Sequence, residues 1–439
     1  MKNIKGFAGI GLIIAILAIL VIGGGVVYYK AKNSTVIINQ KKENPTDVIP
    51  DKKVVNYIKV DNNNAVVLAN NAFAFDIYSK LAKKGENMFF SPFSVSSAFA
   101  MVYEGANGKT ADEIQSVFHF PKDINILRDS FSSINNEINT ANQDYQLNIA
   151  NAIWVQKDFA FLADYLSNVG TYYSAKATNV DFKNATEEAR QTINKWVEDK
   201  TNDKIKDILL PGILNSSTKL ALTDAIYFNG KWIKPFDRKG TKETDFSLYP
   251  NGSVKINMME QKDDKAVFNY AENNDLQILE MPYKGNELSM IIILPKKNDL
   301  ISFEKLFTLS NLNNWKKDLK NQRVNVFIPQ FKFDTNYDMV DTLTSMGMPT
   351  AFTVNADFSK MDGQKDLSIG AVIHKAFIDV NEDGTEAAAA TVVAMTAGSA
   401  LQQGPRIPEF YANHPFLFVI EDSTNGNILF MGNVVNPSK

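Results

Sequence analysis

The apolar positions after residue 64 first recur with the period of a helix. An amphipathic helix is predicted to begin near Ala65. Its marker residues, spaced three or four apart, are Leu68, Ala72, Phe75, Tyr78 and Ala82. Ser94 is a candidate cap and Gly105 a candidate stop for a second helix. Thr110 and Glu113 have the spacing of a capping box and predict the start of a third helix.

Later segments carry the signals of strands. One more helix is predicted over Glu187–Lys200. After it, β-branched and aromatic residues are concentrated in Leu288–Pro295, Val324–Phe333 and Ala371–Val380. The runs PFLFVIE and NILFMGNVV flank a short turn that contains Gly426, which predicts a β-hairpin near the C-terminus. Helices early in the chain and strands late predict an α+β fold.

His374 lies in a segment with strict strand alternation. The face that it shares contains Val372, His374, Ala376, Ile378 and Val380. Because this face is apolar and no nucleophile motif lies nearby, His374 is predicted to be a buried, hydrogen-bonded histidine rather than a catalytic one.

The stretch EDGTEAAAATVVAMTAGS, residues 382–399, combines a strong helix former with a strand former. Four alanines precede the run of Thr391, Val392 and Val393. If the alternation continues past Gly384, one face contains only small or β-branched residues that fit between existing strands, while Glu386 falls on the other face. The stretch is therefore predicted to exist both as an exposed segment and as a buried strand.

Composition narrows the possible functions. The net charge is −3 with no long basic run, which disfavours nucleic acid as the main partner. The chain has no cysteine, so disulfides, thiolate nucleophiles and cysteine-ligated zinc are excluded. His119, His374 and His414 are too far apart in sequence for a local metal motif. No metal and no cofactor are expected.

The N-terminus differs from the rest of the chain. Between Lys5 and Lys30 lie 24 uncharged, mostly apolar residues, which as a helix would span ~36 Å and cross a membrane. Residues 1–31 are predicted to be an uncleaved membrane anchor with the bulk of the protein outside. The alternative is a signal segment cleaved near Ala31, which would release a secreted protein. Residues 32–64 read as a flexible linker and residues 65–439 as the folded domain.

Four long segments resemble signature segments of the serpin family, in the expected order. They are NMFFSPFSVSSAFAMVYEGANGKTADEI, LTDAIYFNGKW, HKAFIDVNEDGTEAAAAT and NHPFLFVIEDSTNGNILFMGNVVNP. The resemblance covers residues 65–439. It implies a serpin fold with three β-sheets, about eight or nine helices and an exposed reactive-centre loop over residues 384–408.

The resemblance also implies a mechanism. In inhibitory serpins a protease attacks the loop and forms an acyl-enzyme. The N-terminal part of the loop then enters the main sheet as a new strand and carries the protease to the far pole. The hinge of this loop maps onto Glu382, Gly384, Thr385, Ala387, Ala388, Ala389 and Ala390. Its small residues match the inhibitory pattern, so the protein is predicted to be an inhibitor and not an enzyme.

The family's usual hinge length puts the reactive bond between Gly398 and Ser399. Ala397, Ala400 and Leu401 remain alternatives, because glycine is poor bait for a specificity pocket. The small, apolar sequence TAGSAL favours an elastase-like or subtilisin-like serine protease as the partner. A cysteine protease is a further possible target, since it also forms an acyl-enzyme.

A polar cluster that governs sheet opening in serpins, the shutter, maps onto Ser91, Ser94, Asp224 and His374. Asp224 is a departure, because the family more often has asparagine there. Trp232 resembles the tryptophan of the breach, where the loop enters the sheet, although ordinary core packing would also explain it. Gln330 stands where some relatives have a lysine that pairs with the residue matching Glu382, so that salt bridge is not expected here.

Two other readings remain: a non-inhibitory serpin that acts as a binding or chaperone-like module, and a membrane-anchored hydrolase. The alanine hinge argues against the first and the missing nucleophile constellation against the second. No clustered basic face accompanies KTADEIQSVFHFPKD, so a heparin-like activator is not expected. A monomer is expected.

Overall fold

The architecture was obtained as a computed structural model that describes residues 64–139, 144–173, 175–263, 266–385 and 407–439. These residues belong to one compact unit, Ile58–Lys439. Helices dominate its first third and strands the remainder, as the periodicity predicts. The α+β prediction is therefore confirmed.

Ten α-helices occur in the described part of the chain. They are α1 (Ala65–Leu81), α2 (Pro92–Gly105), α3 (Gly108–Val117), α4 (Ile124–Asn139), α5 (Ala163–Tyr173), α6 (Thr186–Lys200), α7 (Leu300–Phe303), α8 (Leu309–Lys317), α9 (Val340–Met346) and α10 (Ser359–Asp362). Two of them, α7 and α10, are single turns of four residues. The expected eight or nine helices correspond to the longer ones.

Seventeen strands complete the described elements. They are β1 (Met88–Phe90), β2 (Tyr145–Gln156), β3 (Lys176–Val180), β4 (Leu220–Lys231), β5 (Lys242–Ser247), β6 (Ser253–Gln261), β7 (Val267–Glu272), β8 (Leu276–Pro282), β9 (Leu288–Pro295), β10 (Lys320–Arg323), β11 (Asn325–Pro329), β12 (Phe331–Asp338), β13 (Ile369–Asn381), β14 (Gly384–Thr385), β15 (Glu409–Tyr411), β16 (Phe416–Asp422) and β17 (Ile428–Val434).

The strands form three sheets, as expected. The six-stranded main sheet has the order β12-β13-β14-β4-β2-β3, and β13 also pairs directly with β4. A seven-stranded sheet has the order β1-β17-β16-β9-β8-β7-β10, and a four-stranded sheet the order β15-β11-β6-β5. The predicted C-terminal hairpin is the antiparallel pair β16 and β17.

Helix α2 crosses the centre of the molecule, and nearly all of its residues are buried. Ser91 caps it by accepting the backbone N–H of Ser94 on its hydroxyl at 3.1 Å, and Pro92 occupies the first turn. The prediction that Ser94 is the cap is therefore wrong by one turn, while the stop at Gly105 is confirmed. A proline that directly follows a serine was the overlooked signal.

The predicted capping box of α3 is also wrong. The hydroxyl of Thr110 accepts the backbone N–H of Asp357, and the carboxylate of Glu113 accepts the backbone N–H and the hydroxyl of Thr350. Both side chains bind a distant segment instead of the start of their own helix, because that segment packs over α3. Local spacing does not contain this contact.

Helix α1 begins at Ala65 as predicted, but its buried face is rotated from the predicted one. Leu68 is 52% exposed, and Ala72, Phe75 and Ala82 are only partly buried. The large fully buried apolar residues of this helix are Phe73 and Ile77, together with Val66 and Val67 at its start. The helix packs on α2 and β17, which buries two of its sides.

The predicted strand Val324–Phe333 is two strands in two different sheets. Strand β11 pairs with β6 in the four-stranded sheet as far as Pro329, and β12 pairs with β13 in the main sheet from Phe331 onward. Gln330, between them, donates its backbone N–H to the carbonyl of Asn257 at 2.8 Å. This crossing places Gln330 at the junction of the two sheets.

Strand β13 alternates as predicted, and His374 is fully buried on the apolar face. That face belongs to the large core between the main sheet, α2 and the seven-stranded sheet. On the opposite face Ala371 and Ile373 pack in a second core with Ile193 and Val197 of α6. Helix α6 therefore covers the face of the main sheet that contains Ala371 and Ile373.

Candidate functional site

The chain folds back on itself at the end of β13. Val380 pairs with Thr385 and Asn381 with Gly384, so β13 and β14 form an antiparallel hairpin across the turn of Glu382 and Asp383. On its other side β14 pairs antiparallel with Lys231 and Gly230 of β4. Further along, β13 and β4 pair directly and in parallel. Strand β14 thus lies where the two central strands separate.

Gly384 is required by the close approach of two backbones. A Cβ added to it would lie 2.0 Å from the carbonyl oxygen of Gly230 and 2.7 Å from the Cα of Lys231. No side chain can occupy that space, and both opposing atoms belong to the backbone of a central strand. Only glycine therefore lets β14 begin at this position.

Two stacked aromatic side chains, Trp232 and Tyr283, bind the hairpin through hydrogen bonds. The rings of Trp232 and Tyr283 stack with centroids 4.5 Å apart, and both are buried. The indole N–H of Trp232 donates to the carbonyl of Asn381 at 3.1 Å. The hydroxyls of Tyr283 and Thr385 are hydrogen-bonded at 2.7 Å. Both strands of the hairpin are therefore tied to this aromatic pair, so Trp232 does more than fill the core.

Polar contacts fix the turn itself. The buried carboxylate of Glu382 accepts hydrogen bonds from the hydroxyl of Thr241 at 2.6 Å and from the side-chain amide of Gln330 at 2.8 Å. Asp383 forms an ion pair with Arg238. As the sequence indicated, no lysine occupies position 330. The neutral amide of Gln330 nevertheless donates a hydrogen bond to the carboxylate of Glu382, a contact that was not predicted from the sequence.

The four residues predicted to form the shutter, Ser91, Ser94, Asp224 and His374, lie together beneath the direct pairing of β13 and β4. Nδ1 of His374 is 2.6 Å from Oδ1 of Asp224, and the backbone N–H of Ser91 donates to Nε2 of His374 at 3.1 Å. The hydroxyl of Ser94 donates to Oδ1 of Asn151 at 3.0 Å. Asn151 of β2 is the member of this cluster that sequence reasoning missed, since nothing local distinguishes it from other strand asparagines.

The contact with Ser91 fixes the position of the proton on His374. A backbone N–H can only donate, so Nε2 must carry a lone pair and the proton of the neutral ring is on Nδ1, facing Asp224. The carboxylate of Asp224 is buried, and its Oδ2 has no hydrogen-bond partner among the described residues. A buried carboxylate oxygen without a donor is unfavourable.

Comparison with known proteins identifies the family. The family described as serpin (serine protease inhibitor) matches residues 68–437 of this chain. The chain is a serpin. An uncharacterised serpin-like protein of Methanosarcina acetivorans is 43% identical over 85% of this chain and 88% of its own length. The leukocyte elastase inhibitor of Xenopus tropicalis is 42% identical over 83% of this chain and 97% of its own.

The solved serpin structures include one with a bound small molecule. Human thyroxine-binding globulin in complex with its hormone has 28% sequence identity and a TM-score of 0.78, over 86% of this chain and all of the other. The serpin fold expected from the sequence is therefore confirmed. The fold is shared by proteins whose names describe protease inhibition and by proteins whose names describe ligand binding.

Several predicted site residues lie outside the described part of this serpin. They are the hinge residues Ala387, Ala388, Ala389 and Ala390 and the candidate reactive-bond residues Ala397, Gly398, Ser399, Ala400 and Leu401. Within the described ranges no group of His, Asp and Glu side chains has the arrangement of a metal site.

The segment that follows the loop carries a partly buried histidine, His414. Nε2–H of His414 donates to the carbonyl of Pro295 at 2.7 Å. Burial lowers the pKa of His414 from its ordinary value of 6.5, and this outweighs the effect of the hydrogen bond to Pro295. The folded state therefore binds a proton at this site at a lower pH than the unfolded chain does.

We expect His414→Gln to flatten the pH dependence of stability between pH 7 and pH 5. In the wild type the contribution of neutral His414 is complete above the unfolded pKa of about 6.5 and is lost as the pH falls through the lower, folded pKa. Glutamine retains a donor but does not titrate. Urea unfolding at several pH values measures the effect. Parallel profiles for the two proteins would contradict it.

Proposed function

We propose that this serpin is not a catalyst but inhibits serine endopeptidases as a suicide substrate. Cysteine endopeptidases, which also form an acyl-enzyme, are a second class of target for the same mechanism. The protease nucleophile attacks a carbonyl of the reactive-centre loop, the peptide bond breaks, and the acyl-enzyme remains on the new C-terminal end. The loop then extends β14 between β13 and β4. The observation that carries this proposal is the hairpin at Glu382 and Asp383, from which such a strand would continue.

The register of β14 supports the proposal. Continued residue by residue beyond Thr385, it would put Thr391 opposite His374 on β13 and opposite Asp224 on β4. These two residues are already partners in the direct pairing of the strands. A longer β14 would therefore fit without moving either strand along its axis, but it would separate His374 from Asp224.

The length of the loop also supports it. In the same register Met395 would lie opposite Leu220, the first residue of β4. Gly398 therefore falls beyond the end of the strand, as do the alternatives Ala397, Ala400 and Leu401. A protease attached there would travel the length of a 12-residue strand, ~40 Å at ~3.3 Å per residue.

The sequence of the loop and the curated relatives support a particular class of target. TAGSAL offers only small or aliphatic side chains to a specificity pocket. A relative that covers most of this chain is named as an inhibitor of leukocyte elastase. We propose an elastase-like or subtilisin-like serine protease as the partner of a monomeric inhibitor, with Gly398 and Ser399 flanking the preferred bond.

We also propose a membrane tether for the domain of residues 65–439. The support is the apolar run between Lys5 and Lys30, which lies outside the described residues. The helices that the structure describes include none long and apolar enough to span a bilayer. Alkaline extraction of membranes from cells that express the full chain, or a variant lacking residues 2–31, tests the tether. Release of the full chain into the medium would instead favour secretion after cleavage.

The decisive experiment for inhibition is incubation with elastase-like, subtilisin-like and trypsin-like proteases, followed by denaturing electrophoresis. We expect a denaturant-resistant complex with at least one of the first two classes. Mass spectrometry of the released C-terminal peptide identifies the bond. Complete cleavage without a complex across the panel would refute inhibition and favour a binding or chaperone-like serpin.

A further inference from the structure

The hinge turn is connected to the four-stranded sheet by a series of side-chain hydrogen bonds. Asn257 of β6 donates its amide N–H to Oε1 of Gln330 at 3.1 Å. Gln330 donates its own amide N–H to Oε2 of Glu382 at 2.8 Å. Thr241, just before β5, donates to the other carboxylate oxygen. Every donor in this series points toward Glu382.

The carboxylate fixes the polarity of the series. It only accepts hydrogen bonds, so Gln330 must turn its NH₂ group toward Glu382 and its oxygen away. That oxygen needs a donor, and Asn257 supplies it. The backbone N–H of Gln330 is bonded to the carbonyl of Asn257, which holds the two side chains side by side. Asn257 therefore stabilises the orientation of the Gln330 amide that the carboxylate of Glu382 requires.

We propose that Asn257 is a positioning residue for the hinge. By orienting the amide of Gln330, it holds Glu382, and with it the turn between β13 and β14, in the hairpin from which loop insertion proceeds. The effect on insertion rests on the proposed inhibitory function. The effect on the hairpin does not, because the hairpin exists in the uncleaved protein.

A preformed turn matters for the rate of insertion. Once the turn exists, β14 lengthens one residue pair at a time, whereas a released turn must first be ordered again at an entropic cost. Asn257 and Gln330 line an open groove with Lys332 and Asn381, outside the apolar core. Substitutions at Asn257 therefore change the hydrogen bonds of the series without creating a cavity.

The sharpest test reverses the polarity of the series. In Asn257→Asp the new carboxylate accepts a hydrogen bond from the NH₂ group of Gln330. The oxygen of Gln330 then faces the carboxylate of Glu382, so two acceptors meet and that hydrogen bond is lost. In Glu382→Gln one carboxylate oxygen becomes an NH₂ group, so Thr241 and Gln330 no longer each face their own acceptor oxygen, and the charge is lost. In the double variant the side chain at position 382 donates to Gln330 and Gln330 donates to position 257. Both amide hydrogen bonds are thus restored in the opposite direction, Thr241 still donates to the remaining oxygen at position 382, and the net charge is unchanged.

Hydrogen exchange of the backbone amides of Gly384 and Thr385 reports the hairpin directly. We expect each single variant to exchange about tenfold faster, because a hydrogen bond to a charged group is lost, and the double variant to return to within about threefold of the wild type. Asn321→Asp is the matched control. It alters another strand asparagine that donates to a side-chain oxygen, at 3.2 Å from Asn269, away from the hinge.

The same four proteins are then assayed for the fraction of protease trapped rather than released. We expect trapping to fall in both single variants and to recover in the double variant. Wild-type exchange in Asn257→Asp, or no recovery in the double variant, would overturn the positioning role. If the exchange data show the rescue while even the wild type traps no protease, the positioning role stands and the inhibitory function fails.

Discussion

Replacing Gly384 by alanine is expected to abolish the proposed trapping of protease and leave a serpin that is cleaved as a substrate. The added methyl group would lie 2.0 Å from the carbonyl oxygen of Gly230, which cannot retreat because Gly230 is also paired with Tyr145 in the main sheet. The hinge residues must therefore leave the sheet. If this adds about 3 kcal/mol to the barrier for insertion, insertion slows by more than about a hundredfold and hydrolysis of the acyl-enzyme prevails.

Two measurements check this expectation. Denaturing electrophoresis should show cleaved protein in place of the covalent complex, and hydrogen exchange at Thr385 should accelerate in the uncleaved variant. Gly170→Ala is the matched control, since an added Cβ at this exposed position of α5 meets no atom within 4 Å. It should trap protease like the wild type and be slightly more stable, by up to about 1 kcal/mol. Undiminished trapping by Gly384→Ala would contradict the steric argument.

The sequence predicts those parts of this site that depend on the period of one strand. The alternation along β13 is sufficient to bury His374. That the small residues after Thr385 fit between strands stays a prediction, because they lie outside the described residues. The four shutter residues were brought together by resemblance to a family, and the structure places them in one cluster. None of these inferences requires knowledge of which strands are neighbours.

Contacts between elements that are distant in sequence could not be predicted from local patterns. Tyr283 and Thr241 bind the hinge region across more than a hundred residues of sequence, and Asn257 binds Gln330 across 73 residues. Each lies in a segment with no distinctive local pattern. The same limit explains the failed capping box at Thr110, where a tertiary partner takes the side chain from its own helix. Gln330 was judged by the charge it lacks, whereas its amide can donate just as a lysine does.

The pair of Asp224 and His374 leads to a second prediction, in which Asp224→Asn makes stability more dependent on pH. In the variant an imidazolium would have no carboxylate to compensate its charge, and protonation of Nε2 would break the hydrogen bond from Ser91. Removing the carboxylate 2.6 Å from Nδ1 disfavours an imidazolium in the folded state relative to the wild type. The variant should therefore lose up to about 2 kcal/mol more stability than the wild type between pH 8 and pH 5.

At pH 8 the order should be reversed. The wild type buries a carboxylate whose Oδ2 has no partner among the described residues, and a neutral amide costs less to bury than a charge. The variant should therefore be at least as stable there, and the two stability curves should cross. The other groups that face the pair stay uncharged over this range: Ser91, Asn151 and the stacked ring of Tyr337, whose pKa is raised by burial to about 12.

Thermal unfolding of both proteins at intervals from pH 5 to pH 8 measures the crossing. Asp76→Asn is the matched control, because Asp76 pairs with His119 at 2.7 Å on the surface, where both side chains are substantially exposed. An exposed pair contributes at most about 1 kcal/mol, so this control should shift the curve little. Superimposable curves for the wild type and Asp224→Asn would show that the buried carboxylate does not govern protonation at the shutter. A crossing would mean that acidity acts at the point where a lengthening β14 would have to separate Asp224 from His374.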